Sequence, residues 1–281
     1  MQKGIESVRK VEEVGWFFGL CLASLMVSVA PECLLGQKPD SAPPPAQEAS
    51  QPSTPRRQLS PEERADIFMA RKEYADAVDF YLRALKQEGR GQAPLSAPLW
   101  NKLGIAYQQQ TDYGAARKCY KKAIHYQKDF PEPWNNLGTT YFLANNAKKS
   151  IKYYQEAVKL GPTNASFHLN LGTAYHGVKK FDQAVEEYRS ALTLDPNVLI
   201  AHSARGTILE ARSVDASFFF YLAKVFASLG RSEEAVRYLR RAFEEGFHDR
   251  KRLEEDPDFQ KLSADPAYLE LLKNPPVPIK D

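Results

Sequence analysis

Three stretches of this chain, starting at Trp100, Trp134 and His168, align without gaps at a fixed step of 34 residues. The recurring columns are Trp100/Trp134/His168, Leu103/Leu137/Leu171, Gly104/Gly138/Gly172 and Tyr107/Tyr141/Tyr175. They are followed by Ala116/Ser150/Ala184, Tyr120/Tyr154/Tyr188 and Ala123/Ala157/Ala191. A fixed period of this length means that one supersecondary unit is repeated. Trp, Leu and Tyr at steps of three and four make a single apolar stripe along a first helix. The glycine column marks the face where a second helix crosses, with the alanine column opposing it so that two backbones approach closely. The late tyrosines are expected to fill the gap to the next unit. One such hairpin cannot bury its own apolar face, and stacking several gives a continuous core.

Weaker copies flank these three. Upstream, Ala77, Tyr81 and Ala84 fall in the last three columns, after a helix start in which Ser60 caps, Pro61 is the first helical residue and Glu63 completes a capping box. About five extra residues near 89–96 separate this copy from the next. Downstream, Phe219, Leu222, Ala223, Phe226, Ala235, Leu239 and Ala242 take the same columns, but Phe219 lies 51 residues after His168, one and a half periods. Residues near 199–215 therefore read as an unpaired helix or a degenerate half-unit. In the tail, Asp256-Pro257 and Asp265-Pro266 each place an N-cap before a proline, which predicts two short helices that cover the last apolar face.

The W-x2-L-G-x2-Y columns, with a small residue, an aromatic and an alanine on the second helix, resemble the tetratricopeptide repeat (TPR) family, and the tail resembles those of bacterial TPR proteins. The resemblance implies an all-α, right-handed superhelical α-solenoid of TPR helical hairpins with a short helical cap. It covers residues 60–249 as about five repeats, with 250–281 as the capping tail.

The front of the chain is of a different kind. Residues 14–30 carry no charge, and these 17 residues fall between a signal-peptide core and a membrane span. Lys3, Arg9 and Lys10 precede them, offset by Glu6, Glu12 and Glu13. A cleaved signal, a retained anchor and a buried helix of the main fold all fit; either of the first two places the body outside the cytoplasm, periplasmic, secreted or membrane-anchored. Residues 1–36 are read as that signal or anchor. Residues 37–59 are rich in proline and lack aromatic side chains, so they cannot bury enough apolar surface to offset their ordering entropy and read as a disordered tether.

Catalytic chemistry is hard to find. The sequence has no H-E-x-x-H, G-x-S-x-G, G-x-x-x-x-G-K-[ST] or G-x-G-x-x-G motif. Its three cysteines cannot frame a disulfide fold, and Cys119 reads as a half-buried, inert thiol. His168 and His202 share the tryptophan column, with His176 eight residues beyond His168, and packing explains them better than a metal does. No cofactor, metal or catalytic residue is expected. A formal net charge of +3 gives no nucleic-acid-binding field.

TPR stacks use the concave wall of their first helices to hold a partner segment. Here Asn101, Lys102, Asn136 and Asn170 precede the Leu-Gly pairs, with Thr139, Thr173 and His176 one turn further. The Asn-Leu-Gly runs resemble the asparagine ladder of the nucleocytoplasmic O-linked N-acetylglucosamine transferase, in which amides grip an extended peptide backbone. An amide carries a donor and an acceptor side by side and so pairs with a peptide unit of any sequence. A carboxylate clamp of the chaperone-adaptor kind is disfavoured, because Asn101, Ile105, Asn136, Ser166 and Asn170 supply no basic residue. The expectation is a non-enzymatic scaffold for a protein or peptide, with the asparagines dispensable for stability. The alternative is a structural subunit of an envelope assembly that uses edges or convex faces.

Overall fold

Ser60 opens the first helix as its sequence predicts: its side chain accepts from the Glu63 amide, and the Glu63 carboxylate accepts from the Ser60 amide. The computed structural model describes residues 58–88, 96–199 and 215–279. Among these residues every regular element is helical. The order is α1 (Pro61–Ala70), α2 (Tyr74–Glu88), α3 (Ala97–Gln109), α4 (Tyr113–Tyr126), α5 (Pro131–Leu143), α6 (Ala147–Leu160), α7 (Ala165–Gly177) and α8 (Phe181–Leu194). Then come α9 (Ala216–Ser228), α10 (Ser232–Glu244), α11 (Arg250–Glu255), α12 (Pro257–Gln260) and α13 (Pro266–Lys273). The N-terminal apolar run, the proline-rich tether, most of the half-unit near 199–215 and His202 lie outside the described residues.

Consecutive helices pair into hairpins (α1 with α2, α3 with α4, α5 with α6, α7 with α8, α9 with α10), and each hairpin packs on the next through its second helix. The first helices also touch along one side, α3 against α5 and α5 against α7, which makes them the inner wall of the stack. Leu103, Leu137 and Leu171 are at most 2% exposed. Burial of each contributes about 1.5–3 kcal/mol.

The glycine column meets an aromatic ring rather than only the alanine column. A β-carbon on Gly104, Gly138 or Gly172 would lie 2.5 Å, 2.8 Å or 2.7 Å from the ring of Tyr120, Tyr154 or Tyr188 in the same hairpin. The late tyrosines thus fill the space inside their own unit. In the last hairpin both partners change, to Ala223 and Leu239, and both stay buried.

Each turn between paired helices needs one residue in the left-handed region: Lys72, Thr111, Asn145, Lys179 and Gly230, with φ between 61° and 73°. The following residue's amide then reaches back to close the helix, as Asp112 does to the Tyr107 carbonyl at 3.0 Å.

The helix α9 is apolar over most of its surface. Phe218, Phe219, Phe220, Tyr221 and Leu222 are all buried, where the sequence assigned only Phe219 of the aromatic run firmly to the core. The tail accounts for this. Phe220 stacks on Phe247 and tilts against Phe259 of α12, while Lys224 pairs with Asp256 at 2.5 Å. The two Asp-Pro helices form as α12 and α13, each with its aspartate as side-chain cap. A third, α11, precedes them behind Asp249.

Candidate functional site

The inner wall carries a continuous chain of amides. Asn170 Nδ2 donates to Asn135 Oδ1 at 2.8 Å, Asn135 Nδ2 donates to Asn136 Oδ1 at 3.3 Å, and Asn136 Nδ2 donates to Asn101 Oδ1 at 3.0 Å. The ladder crosses α7, α5 and α3. Its interhelix bonds join residues 35 apart, one more than the repeat, because the second wall position of one unit meets the first wall position of the unit before. Lys102 obeys the same register. It donates to Glu62 Oε1 at 2.8 Å, and also to Asp66 Oδ2 at 2.7 Å, on α1. Tyr81 completes that cluster by donating to Asp66 Oδ1 at 2.6 Å. Burial opposes the charge on Lys102, yet the two carboxylates hold its ammonium above the ordinary lysine value.

Asn101 and Asn170 are buried, whereas Asn135 and Asn136 are half-buried. Thr139 donates to the Asn135 carbonyl and accepts from Tyr154, and Thr173 is buried, donating to the Leu169 carbonyl. His176 sits in the contact between α7 and α9: its Nε2 lies 3.0 Å from Ser217 Oγ and its ring packs on Phe181, Phe218 and Tyr221. Burial pushes its pKa below the ordinary histidine value. The structure therefore brings Asn101, Asn136 and Asn170 together, ties Lys102 to α1, and draws His176 into packing. The expectation that the amides are dispensable for stability changes as well, since each bridges two helices. Asn135, which the sequence places beside Asn136 before the Leu-Gly pair but which was not counted among the site residues, links the two interhelix rungs.

The remaining chemistry is quiet. Cys119 is buried, and that burial raises its thiol pKa to about 11. His168 Nε2 lies 2.9 Å from the Pro162 carbonyl and its Nδ1 2.7 Å from Glu187. Trp134 makes the matching bond to the Lys128 carbonyl at 3.0 Å, so the histidine replaces the indole donor of its column. Among the described residues no histidine, cysteine and carboxylate cluster has metal-binding geometry.

Helical hairpins stacked at a fixed register, with a polar inner wall, define a repeat solenoid. Family models described as tetratricopeptide repeat match residues 101–165, 136–198 and 216–245, and the chain is a tetratricopeptide repeat protein. Solved structures with similar folds include "Crystal structure of MamA", 19% identical over 68% of this chain and 96% of that one, with a TM-score of 0.46. Another is "MamA 41-end from Desulfovibrio magneticus RS-1", at 15% identity, 70% and 96% coverage and a TM-score of 0.47. A third is "Crystal structure of YrrB: a TPR protein with an unusual peptide-binding site", at 17% identity, 76% and 91% coverage and a TM-score of 0.44. No curated protein matches the sequence.

Proposed function

We propose that this protein is a non-enzymatic scaffold that holds an extended segment of a protein partner against the inner wall of α3, α5 and α7, and that it acts outside the cytoplasm. The observation that carries the binding site is the amide ladder. Each asparagine amide has two N–H groups and an oxygen with two lone pairs, and the ladder uses only part of that capacity. In this reading the remaining capacity on half-buried Asn135 and Asn136 goes to the partner, and because neighbours hold both side chains in place, little side-chain freedom is lost when a peptide unit docks. TPR stacks hold partners on this wall, which supports the same reading. The uncharged run at residues 14–30 supports export or anchoring. Among the described residues no helix is long and apolar enough to cross a membrane, so attachment to one would fall to that run.

Photo-crosslinking in intact cells tests the site. A crosslinker in place of Lys102 should capture a partner that one in place of exposed Lys86, on α2 and away from both α4 and α6, does not. Capture from Lys86 alone would move the interface to the other helices and favour the assembly-subunit reading. Protease added to spheroplasts should digest the body; a protected chain beginning at Met1 in the cytosol would end the export proposal.

A further inference from the structure

The whole chain carries a net charge of only +3, but residues 97–164 hold ten lysines and arginines against four carboxylates. The excess gathers on two neighbouring second helices. No carboxylate occurs on α4, which carries Arg117, Lys118, Lys121 and Lys122, and α6 has Glu156 alone against four lysines.

Between these helices the cations converge on an aromatic floor. Arg117 Cζ lies 5.3 Å from the centroid of the Tyr141 ring, and Lys149 Nζ lies 4.4 Å from it. The ring stacks on Tyr153, with centroids 5.2 Å apart and planes 4° from parallel. Burial would raise the Tyr141 pKa, yet the Lys149 hydrogen bond and the field of Lys121 outweigh it and bring the phenol below its ordinary value. Among the described residues, none of Arg117, Lys121 and Lys149 forms an ion pair with a carboxylate.

The repeat supplies its own control. One unit earlier the three cationic positions hold Val78, Leu82 and Ala115, and one unit later they hold Ile151, Gln155 and Gln183. There Gln155 donates to the Tyr175 hydroxyl at 2.9 Å, and Glu187 stands in the Tyr153 position, engaged by His168. The same architecture stacks without any of these charges, so packing does not require them at the α4/α6 cleft.

We propose that the cleft between α4 and α6 is a second docking site, separate from the amide ladder, for an acidic Asp/Glu-rich protein segment. Charge complementarity selects the sign of the partner, and the surroundings select its class. No large apolar side chain is exposed on α6, and on α4 only Tyr126 at its last residue is, so nothing would insert between lipid chains. The Tyr141 ring has Tyr153 stacked on it and cations packed over it, so its faces do not serve as a stacking platform for bases. A flexible acidic segment places carboxylates at short intervals and can reach cations on both sides of the cleft.

The test uses the full chain and a fluorescein-labelled peptide of alternating Glu and Ser, at low and moderate salt. Arg117→Gln/Lys121→Gln/Lys149→Gln should weaken binding roughly tenfold and flatten its salt dependence. The control Lys86→Gln/Lys251→Gln/Lys273→Gln removes the same charge elsewhere and should stay within about twofold. Circular dichroism should show both variants folded. Equal loss in both variants would reduce the effect to net charge and overturn the proposal. So would tighter binding to phosphatidylserine vesicles than to the peptide, which would assign the patch to a lipid surface. Self-association that disappears in the cleft variant would make the occupant a second copy of this chain, and would overturn it too.

Discussion

The ring of Tyr154 occupies the volume that a β-carbon on Gly138 would need, with ring Cδ1 2.8 Å from that position. The pair is one unit of a coupled choice that runs through the stack. Where the first helix offers glycine, the second inserts tyrosine; where it offers Ala223, the second inserts Leu239. The first hairpin departs from this by combining Ala65 with Tyr81, whose hydroxyl is drawn to Asp66. Gly138→Ala should therefore cost about 1–3 kcal/mol through overpacking. Gly138→Ala with Tyr154→Leu should recover part of that loss, because it reproduces the pairing of the last hairpin. Urea denaturation of the two singles and the double gives the coupling energy; strictly additive losses would mean that the ring is not what excludes the β-carbon.

Thr111 holds the left-handed turn between α3 and α4 with φ at 62°, a conformation that β-branched residues resist. The last hairpin uses Gly230 in the same position. Thr111→Gly should relieve that strain and stabilise the fold by about 0.5–1 kcal/mol, partly offset by the entropy glycine adds to the unfolded chain. Thermal melting checks it, and a lower melting temperature would show that the threonine side chain earns its place through contacts.

How much of this could be read beforehand follows from where each interaction sits relative to the 34-residue period. Interactions within one column, or inside one unit, were legible: the Trp-Leu-Tyr stripe, the Ser60 capping box and the Asp-Pro helix starts. The ladder was only half legible. Asn136 and Asn170 share a column, but their hydrogen bonds run to the adjacent column of the previous unit, Asn101 and Asn135, and periodicity alone does not show a diagonal. The tyrosine and glycine columns were both visible, yet which gap the ring fills depends on the crossing geometry of two helices. Removal of His176 from the groove depends on α9, which lies beyond the point where the period breaks.

Burial holds the pKa of His176 below its ordinary value, with Asp215 Oδ1 3.7 Å from Nε2 opposing the shift and the Tyr221 ring packed beside it. The folded state therefore binds a proton less readily than the unfolded chain. Its neutral-state contribution is complete above the unfolded pKa of about 6.5 and is lost as pH falls through the folded value. His176→Gln lacks that component. The stability difference between wild type and variant should shrink as pH drops below about 6.5, as read from denaturation midpoints. Parallel profiles would show that the imidazole stays solvated.

Asn135 tests whether the ladder is structure as well as binding surface. Its oxygen accepts from buried Asn170 and its amide donates to Asn136, so Asn135→Ala strands one donor and one acceptor at once. A buried polar group left unpaired costs about 1–3 kcal/mol, and Asn135→Ala should fall in that range. Asn135→Asp should cost less. An aspartate still accepts from Asn170, and the Asn136 amide can turn to donate to its other oxygen, with Asn101 turning in response to restore the last bond. Lys102→Met gives the contrast. Its partners Glu62 and Asp66 have side chains 40% and 45% exposed. Its loss should be at most about 1 kcal/mol and should fade in high salt, whereas the Asn135→Ala loss should not respond to salt. If Asn135→Ala and Asn135→Asp are both neutral in stability but abolish capture of a partner crosslinked at position 102, the ladder is a binding surface alone. If both destabilise equally, the amides do not turn, and the ladder is a rigid frame.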